Sequence, residues 1–322
     1  MLMNIKRPLI SISIPVLNEE GNIENLYKRL DALGHKMHDR CDLEFVFSDN
    51  HSTDSTWLML SQLAAKDPRV KAIRFSKNFG FQRSILANYL HTTGDAVMQI
   101  DADLQDPPEL LETFFEQWQN GAQVVYGIRK KRPENVFLHA FRKLGYWAID
   151  KISEHPIPRD VGDFRLIDRK VVQSLVQIKT ANPYLRGMIA GLGFNQIGVP
   201  YDRDARVAGE SKFNVSRLLR LGLTAVFNHS TVPLRAASFL GSVILAASIV
   251  GALYYVALKL LYPEIPQGLA SIHILVLFGI GLNSFLLGII GEYLLRIYLV
   301  LRAEPVAIIA QSLNIKSSEL KL

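Results

Sequence analysis

Two long stretches without an Asp, Glu, Lys or Arg set the first limit on this fold. Ala236–Leu258 runs 23 residues and Ala270–Gly291 runs 22. As a helix, a run of 23 residues rises roughly 34 Å, enough to cross the hydrocarbon core of a bilayer. Core helices of soluble domains rarely stay uncharged for so long. A transmembrane hairpin over 231–302 is therefore expected, turning at Pro263-Glu-Ile-Pro266-Gln-Gly268. Arg217, Arg220, Arg235, Arg296 and Arg302 flank one side of the hairpin, and only Lys259 lies near the turn. The positive-inside rule then places both termini in the cytoplasm, with 303–322 as a cytoplasmic tail. Glu292 and Arg296 are four apart and can pair where the second helix leaves the membrane. Before the hairpin, Phe213–Ser230 mixes Leu218, Leu219, Leu221, Leu223, Val226 and Phe227 with Arg217 and Arg220, the pattern of an interfacial amphipathic helix over 213–230.

Residues 1–212 read differently. Leu9–Val16 alternates Ile with Ser and forms a first strand. A polar loop, Asn18-Glu19-Glu20, leads to a helix with Leu26, Leu30 and Leu33 on one face. Leu43–Ser48 is a second strand, ending in the turn and cap cluster Asp49–Thr56 that opens a helix over 57–65. Val70–Phe75 is a third, followed by a helix over 82–91. Ala96–Ile100 is a fourth, and Gln123–Ile128 a fifth, ending in Arg129-Lys-Lys-Arg132. Strands alternating with helices specify an α/β domain with a mostly parallel sheet. Residues 133–160 carry Phe137, Phe141, Leu144, Trp147 and Ile152 at helical spacing beside His139, Arg142 and Lys143. That suits core packing or a membrane surface equally. The apolar run from Leu9 is short and interrupted by Ser, so it is a strand and not a signal peptide. The single Cys41 excludes an intramolecular disulfide and lacks metal-ligand spacing. No G-x-G-x-x-G and no G-x-x-x-x-G-K-[ST] occurs, which argues against a dinucleotide oxidoreductase and a P-loop NTPase. The net charge of +6 fits anionic lipid or anionic substrates. A nucleic-acid role would need a reading helix or aromatic sheet motif, and neither is found.

The most informative stretch is Gly94-Asp95-Ala-Val-Met-Gln-Ile-Asp101-Ala-Asp103-Leu-Gln105-Asp106-Pro107-Pro108-Glu109. Its start is a short apolar strand. Asp101 and Asp103 follow two residues apart, so along an extended chain both point the same way, at the strand end where open α/β sheets bind ligands. Two carboxylates in one space repel unless a cation or a donor lies between them. Mg²⁺ and Mn²⁺ take such oxygen ligands and complete their shells with water and phosphate. Pro107-Pro108 stiffens the exit, and a helix over 109–119 follows. Taken alone, D-x-D also fits a solvated acidic turn.

The run resembles the D-x-D region of family 2 glycosyltransferases, in the polyprenyl-phosphate glycosyltransferase branch. The resemblance extends along nearly the whole chain: Pro15-Val-Leu-Asn-Glu19-Glu, Asp49-Asn-His-Ser-Thr-Asp-Ser-Thr56, Asn78-Phe-Gly80, Gly162-Asp163-Phe-Arg-Leu166 and Arg203-Asp-Ala-Arg206-Val-Ala-Gly209-Glu-Ser211-Lys212. It implies a GT-A-like nucleotide-sugar domain over 1–212. By the same resemblance Pro15, Glu19 and Asp49 contact base and ribose. Lys77 lies near the nucleotide, Asp101 near ribose or diphosphate, Ala102 and Gln105 against the nucleotide sugar, and Asp103 on the metal. Asp163 faces sugar or acceptor. Relatives are sometimes assigned a base there, but an orienting role suits it better. Two departures stand out. Many relatives read Asp-Asp-Gly-Ser where this chain has Asp49-Asn50-His51-Ser52, which leaves the base open. Many have Lys-Glu or His-Gln where this chain has Phe81-Gln82. Asp54 also suits helix capping.

In the last of these segments Arg203, Arg206 and Lys212, with Gly209 and Ser211, suit an anion, since Gly permits close approach and Arg grips phosphate oxygens bidentately. The expectation is inverting transfer of a hexose, glucose from UDP-glucose, to polyprenyl (undecaprenyl) phosphate at the cytoplasmic membrane face, using Mg²⁺ or Mn²⁺. Arg129 adds a cation near the leaving diphosphate. The phosphate acceptor is already anionic and requires no strong base. Two membrane helices bury little by themselves, so a homo-oligomer is expected. Alternatives are another donor, GDP-mannose or UDP-aminoarabinose, or a non-catalytic membrane scaffold or transport subunit. A processive synthase would carry a Gln-x-x-Arg-Trp element, absent here.

Overall fold

The computed structural model describes residues 7–130, 161–178, 183–203, 268–301 and 305–315, with scattered positions between 239 and 261. They divide between two units. The larger contains the chain up to Lys212, apart from a short segment, and again from Ala303. The second contains Phe213–Arg302.

In the larger unit, eight strands form one sheet: β1 Leu9–Val16, β2 Asp42–Asp49, β3 Val70–Phe75, β4 Ala96–Gln99, β5 Val124–Arg129, β6 Val161–Asp168, β7 Gln196–Tyr201 and β8 Ile309–Leu313. The order across the sheet is β7-β5-β6-β4-β1-β2-β3-β8. β2 and β4 run parallel to β1, β3 parallel to β2, and β7 parallel to β5. β6 runs antiparallel to β4 and β5, and β8 antiparallel to β3. Six strands thus share one direction, and β6 and β8 oppose them.

The Ile/Ser alternation of β1 explains how both faces are covered. Ile10, Ile12 and Ile14 pack with Ile23, Leu26, Leu30, Leu33 and Met37 of helix α1 (Glu20–Met37) and with Phe114 and Phe115 of α4 (Leu111–Gln119). Each such side chain removed from water contributes about 1.5–3 kcal/mol. The Ser face lies under a second apolar cluster, in which Ile85, Leu86 and Tyr89 pack with Val97 of β4, with hydrogen bonds from serines among them. Ser13 Oγ donates to Gln99 Oε1 at 2.6 Å, and Ser48 Oγ donates to the Ser84 carbonyl at 3.2 Å, in helix α3 (Phe81–His91). Helix α2 (Thr56–Lys66) follows β2.

Several boundaries differ from the sequence expectations. The helix expected at Glu109 starts as a 3₁₀ turn, Pro108–Leu110, because two prolines tighten the first turn, and α4 proper begins at Leu111. The Gly162-Asp163-Phe164 run lies within β6. Helices α5 (Arg169–Gln177) and α6 (Leu185–Gly191) and strand β7 were not anticipated. Asp168 caps α5, accepting the Lys170 N–H at 2.8 Å. The expected tail 303–322 contributes β8, which closes the sheet edge beside β3. Asn314 anchors the end of this strand by donating to the Ala64 and Val70 carbonyls.

In the second unit, helix α7 (Leu269–Leu301) spans 33 residues, about 50 Å. It continues past Gly291, where the uncharged run stops. Within it, Phe278–Leu295 is long and apolar enough to cross a membrane, and none of that window is buried by protein. The described positions between 239 and 261 are helical, with Phe239, Val250, Leu253 and Leu260 exposed. The aromatic segment 133–160 and the interfacial segment 213–230 lie outside the described residues.

Candidate active site

The strand directions bring distant residues to one edge. The carboxyl ends of the six co-directed strands and the amino end of β6 meet there. Pro15 is the last residue but one of β1, Asp49 ends β2, Lys77 follows β3, Asp101 and Asp103 follow β4, Arg129 ends β5, and Asp163 is third in β6. Tyr201 ends β7 opposite Arg129, and Arg203 lies two residues on.

Four carboxylates crowd this edge: Asp101, Asp103, Asp106 and Asp163. Burial pushes the Asp101 carboxyl up to about 7, and the nearby Asp106, Asp163 and Asp103 add to the rise against the pull of Arg129. Asp103 accepts the Gln105 N–H at 3.2 Å. Between them Leu104 adopts φ 59 with its side chain buried, an unusual conformation for a branched residue. This sharp turn lets Asp103 and Asp106 belong to the same site although the Leu104 side chain is in the core.

Asp106 and Asp163 are each gripped by guanidinium groups. Asp106 is buried; its Oδ1 accepts from Tyr201 Oη and from Arg203 Nε at 3.2 Å, and Arg129 Nη2 lies 3.6 Å from its Oδ2. Arg129 Nε also donates to Tyr201 Oη at 3.3 Å. Gly162 makes room for this arginine, since a Cβ there would sit 2.6 Å from Arg129 Nη2. Asp163 accepts two bonds from Arg186, at 3.0 and 2.9 Å, and one from Gln82 Nε2 at 3.2 Å. Gln82 Oε1 in turn accepts the Leu185 N–H. Burial works against the charged form of Asp163, yet the Arg186 bonds and charge, with Arg165, hold its carboxyl below the usual range. An ion-paired carboxylate of low basicity is an orienting group and a poor proton acceptor at neutral pH.

On the other half of the edge, the loops after β1, β2 and β3 interlock. Asn18 Oδ1 accepts the Thr53 N–H, Thr56 Oγ1 accepts the Glu19 N–H, and Asp54 caps both Thr56 and Glu20. Glu19 accepts from Asn22 Nδ2 at 2.7 Å. Asp49 is fully buried. Its Oδ1 accepts the Ser52 N–H, while Oδ2 lies 3.2 Å from Arg74 Nε without an aligned hydrogen bond. Asn50 donates to Asn78 and accepts the Phe79 N–H, joining the β2 loop to the β3 loop. Lys77 is exposed, its Nζ 5.1 Å from the Phe79 ring centre.

The structure therefore gathers Asp101, Asp103, Arg129, Asp163 and Arg203 on one half of the edge and Pro15, Glu19, Asp49 and Lys77 on the other. Ala102 is buried and Gln105 half-buried in the connecting turn. Arg206, Ser211 and Lys212 lie outside the described residues. Sequence reasoning missed Asp106, Arg186, Gly162 and Tyr201 and left Gln82 without a role. Asp106 had a signal, being the third acid of Asp-Ala-Asp-Leu-Gln-Asp. Among the described residues no group of three or more His, Cys, Asp or Glu encloses a metal ion by itself. The closely set carboxylates around Asp101 fit a divalent cation that takes part of its shell from a ligand's phosphates.

A mixed α/β sheet with nucleotide-type loops at one edge and an acidic turn after its fourth strand defines a GT-A-like glycosyltransferase. The family model for glycosyl transferase family 2 matches residues 11–176, and the chain belongs to that family. It is 37% identical over 311 residues to the uncharacterized glycosyltransferase YkcC of Bacillus subtilis (strain 168), covering 96% of each chain. It is 35% identical over 299 residues to the bactoprenol glucosyl transferase of Shigella phage SfX, covering 92% of this chain and 97% of that one. Among solved structures, the mannosyltransferase PcManGT from Pyrobaculum calidifontis, in complex with GDP-Man and Mn²⁺, superimposes with a TM-score of 0.50 at 17% identity, over 91% of this chain and 88% of that one.

Proposed function

We propose that this glycosyltransferase moves glucose from UDP-glucose to polyprenyl (undecaprenyl) phosphate at the cytoplasmic face of the membrane, with inversion at the sugar. The observation that carries the reading is the likeness to a bactoprenol glucosyl transferase, which runs through the apolar C-terminal third as well as the catalytic domain. Mg²⁺ or Mn²⁺ would be held by Asp103, with Asp101 beside it. When bound, such an ion offsets the charge that builds on the departing diphosphate.

The rest follows from the chain's own groups. An oxygen of the lipid phosphate attacks the sugar's anomeric carbon. The bond from that carbon to the diphosphate breaks, and its electron pair leaves with UDP. No proton need move, because the acceptor is already anionic. This suits Asp163, which Arg186 and Gln82 hold as an orienting carboxylate. Arg203, with Arg206, Ser211 and Lys212, would hold the lipid phosphate, and Arg129 would face the leaving group. Asp49 Oδ2, buried and short of an aligned donor, suits a nucleobase N–H.

The topology supports an even number of membrane crossings. The chain leaves the larger unit after Lys212 and rejoins it at Ala303, with β8 hydrogen-bonded into the same sheet. With 213–302 in the membrane, both of its flanks would lie on one side of the bilayer. A two-helix hairpin with both termini cytoplasmic satisfies this, and self-association through the exposed apolar faces of the helices would make a homo-oligomer.

The test is a donor screen in detergent with polyprenyl phosphate, using radiolabelled UDP-glucose, GDP-mannose and UDP-aminoarabinose, each with and without chelator. Labelled polyprenyl-phosphoglucose formed only without chelator is the expected result. Transfer from another donor overturns the choice of UDP-glucose. Transfer undiminished by chelator overturns the metal.

A further inference from the structure

The strand that follows the apolar helix α7 begins against the loop carrying Lys77. From Leu301, the last residue of α7, only three residues separate the helix from Pro305. Ile309 then pairs with Phe75, the last residue of β3, and Gln311, Ser312 and Leu313 pair back along Arg74, Ile73 and Ala72. One step beyond the ladder, Ser76 donates its N–H to the Ile308 carbonyl at 2.9 Å. Ser76 is the first residue of the loop Ser76-Lys77-Asn78-Phe79-Gly80.

Side chains continue what the backbone starts. Ala307 is buried in a small cluster with Ile73, Phe75 and Ala87, and Val306, Phe79 and Ile309 pack on it. Phe79 meets Phe75 edge to face, with ring centres 5.9 Å apart. The loop is thus held from two sides. Asn50 and Asn78 fasten it to the loop that carries Asp49, and the returning segment fastens it from below. Ala87 belongs to α3, whose first turn carries Gln82 to Asp163. The segment therefore bears on the support of both halves of the site.

We propose that Pro305–Asn314 is a positioning strap for the donor-nucleotide loop, so that affinity for a nucleoside diphosphate depends on the chain that emerges from α7. This rests on the reading that Lys77 and its loop face the nucleotide. The strap touches no reacting atom and acts through Ser76, Phe79 and α3. An enzyme built this way links its grip on the soluble donor to the membrane-derived end of its own chain.

Linkage makes the proposal testable on the unaltered protein, since a strap that tightens the nucleotide loop must itself be tightened by nucleotide. The full chain in detergent is compared by hydrogen exchange with and without UDP and Mn²⁺. Amides of Ser76–Gly80 should slow, and those of Ala310–Leu313 should slow with them, each at least about threefold. Protection of the loop with no change in the strap overturns the proposal. No protection of the loop overturns the nucleotide reading, and the strap falls with it. As a second measurement, Ala307→Glu should raise the KM for the donor about tenfold while the KM for the acceptor stays within about twofold, and Ala307→Ser should behave as the parent. Equal changes in both KM values, or none, would count against the strap. If Ala307→Glu does not fold, the exchange result on the unaltered chain decides.

Discussion

The two ends of the sheet hold buried carboxylates in opposite circumstances. At the end opposite the site, Glu44 is fully provided for. Its Oε1 accepts from Ser11 Oγ and the Thr93 N–H, and its Oε2 accepts from Thr93 Oγ1 and Lys71 Nζ, the latter two at 2.8 and 2.7 Å. At the site end, four carboxylates crowd together, and one of them is pushed up to about 7. The first arrangement is complete and serves stability. The second sets more carboxylates together than its arginines pair with directly, which suits the binding of a cation under the proposed function. Variants at the two ends should therefore separate folding from transfer.

The largest expected effect is at the site. Asp103→Asn should cut sugar transfer about a thousandfold, the scale of losing one well-placed electrostatic contact. The melting temperature should hold or rise slightly, because one repelling charge is gone. A variant equally impaired in folding would erase the distinction between the two ends.

Next in size is Glu44→Gln. It leaves Lys71 without its partner and should cost about 2–4 kcal/mol in unfolding free energy. Transfer should be unchanged at temperatures where the variant is folded. The sign of the pH effect follows from the shift. Burial opposes the charge on Glu44, but Lys71, Ser11 and Thr93 outweigh it and lower the carboxyl below its ordinary 4.5. Its stabilisation is complete above that value and is lost as pH falls through the lower folded one. Unfolding midpoints measured from pH 6 to 2.5 should show a shallower acid limb in the variant. An unchanged slope would mean that Glu44 is not the group responsible.

Two glycines sharpen the contrast further, one at each end. A Cβ at Gly94 would meet the Leu9 carbonyl oxygen at 2.6 Å and the Ser11 nitrogen at 2.7 Å, both backbone atoms that cannot yield. Gly94→Ala should cost about 1–3 kcal/mol, with the folded fraction fully active. At Gly162 the obstacle is the end of a flexible arginine, which can move aside. Gly162→Ala should cost less than about 1 kcal/mol in stability yet reduce transfer at least about tenfold, because Arg129 is displaced. Thermal melts and initial rates on both variants decide the pair.

The same contrast marks what could be read from the amino-acid order. The Ile/Ser alternation of β1 is a local pattern, and the structure carries it out nearly residue for residue; Asp101 and Asp103, expected along an extended chain, lie instead in the turn after β4. Asp106 and Tyr201 are 95 positions apart and meet only because β7 lies alongside β5. Gln82 and Asp163 are 81 apart and meet through strand β6, which reverses direction. Nothing in a local pattern reports such pairings. β8 is the extreme case: a five-residue strand of mixed character whose partner, β3, lies more than two hundred positions earlier, as the Asn314–Val70 bond shows. Its pairing depends on where the chain returns, and the apolar helices before it conceal that from a reading of periodicity.

The smallest expected effect concerns charges that belong to neither end. Three ion pairs run from α1 and the residues just after it to the 3₁₀ turn at Pro108–Leu110 and α4. Arg29 grips Glu109 with two bonds at 2.9 and 2.6 Å, Lys36 meets Glu112 at 2.6 Å, and Arg40 meets Glu116 at 3.3 Å. Glu109 directly follows Pro107-Pro108, so this ladder braces the exit of the acidic turn. Its members are largely solvated, and exposed pairs contribute little. A double-mutant cycle over Arg29→Ala and Glu109→Ala should give a coupling of about 0.5–1 kcal/mol. In 0.5 M NaCl that coupling should shrink by half or more, since salt screens exposed charges. The Glu44–Lys71 coupling, shielded from solvent, should change much less under the same salt. A surface ladder as salt-resistant as the buried cluster would show that burial is not what separates the structural carboxylates from the rest.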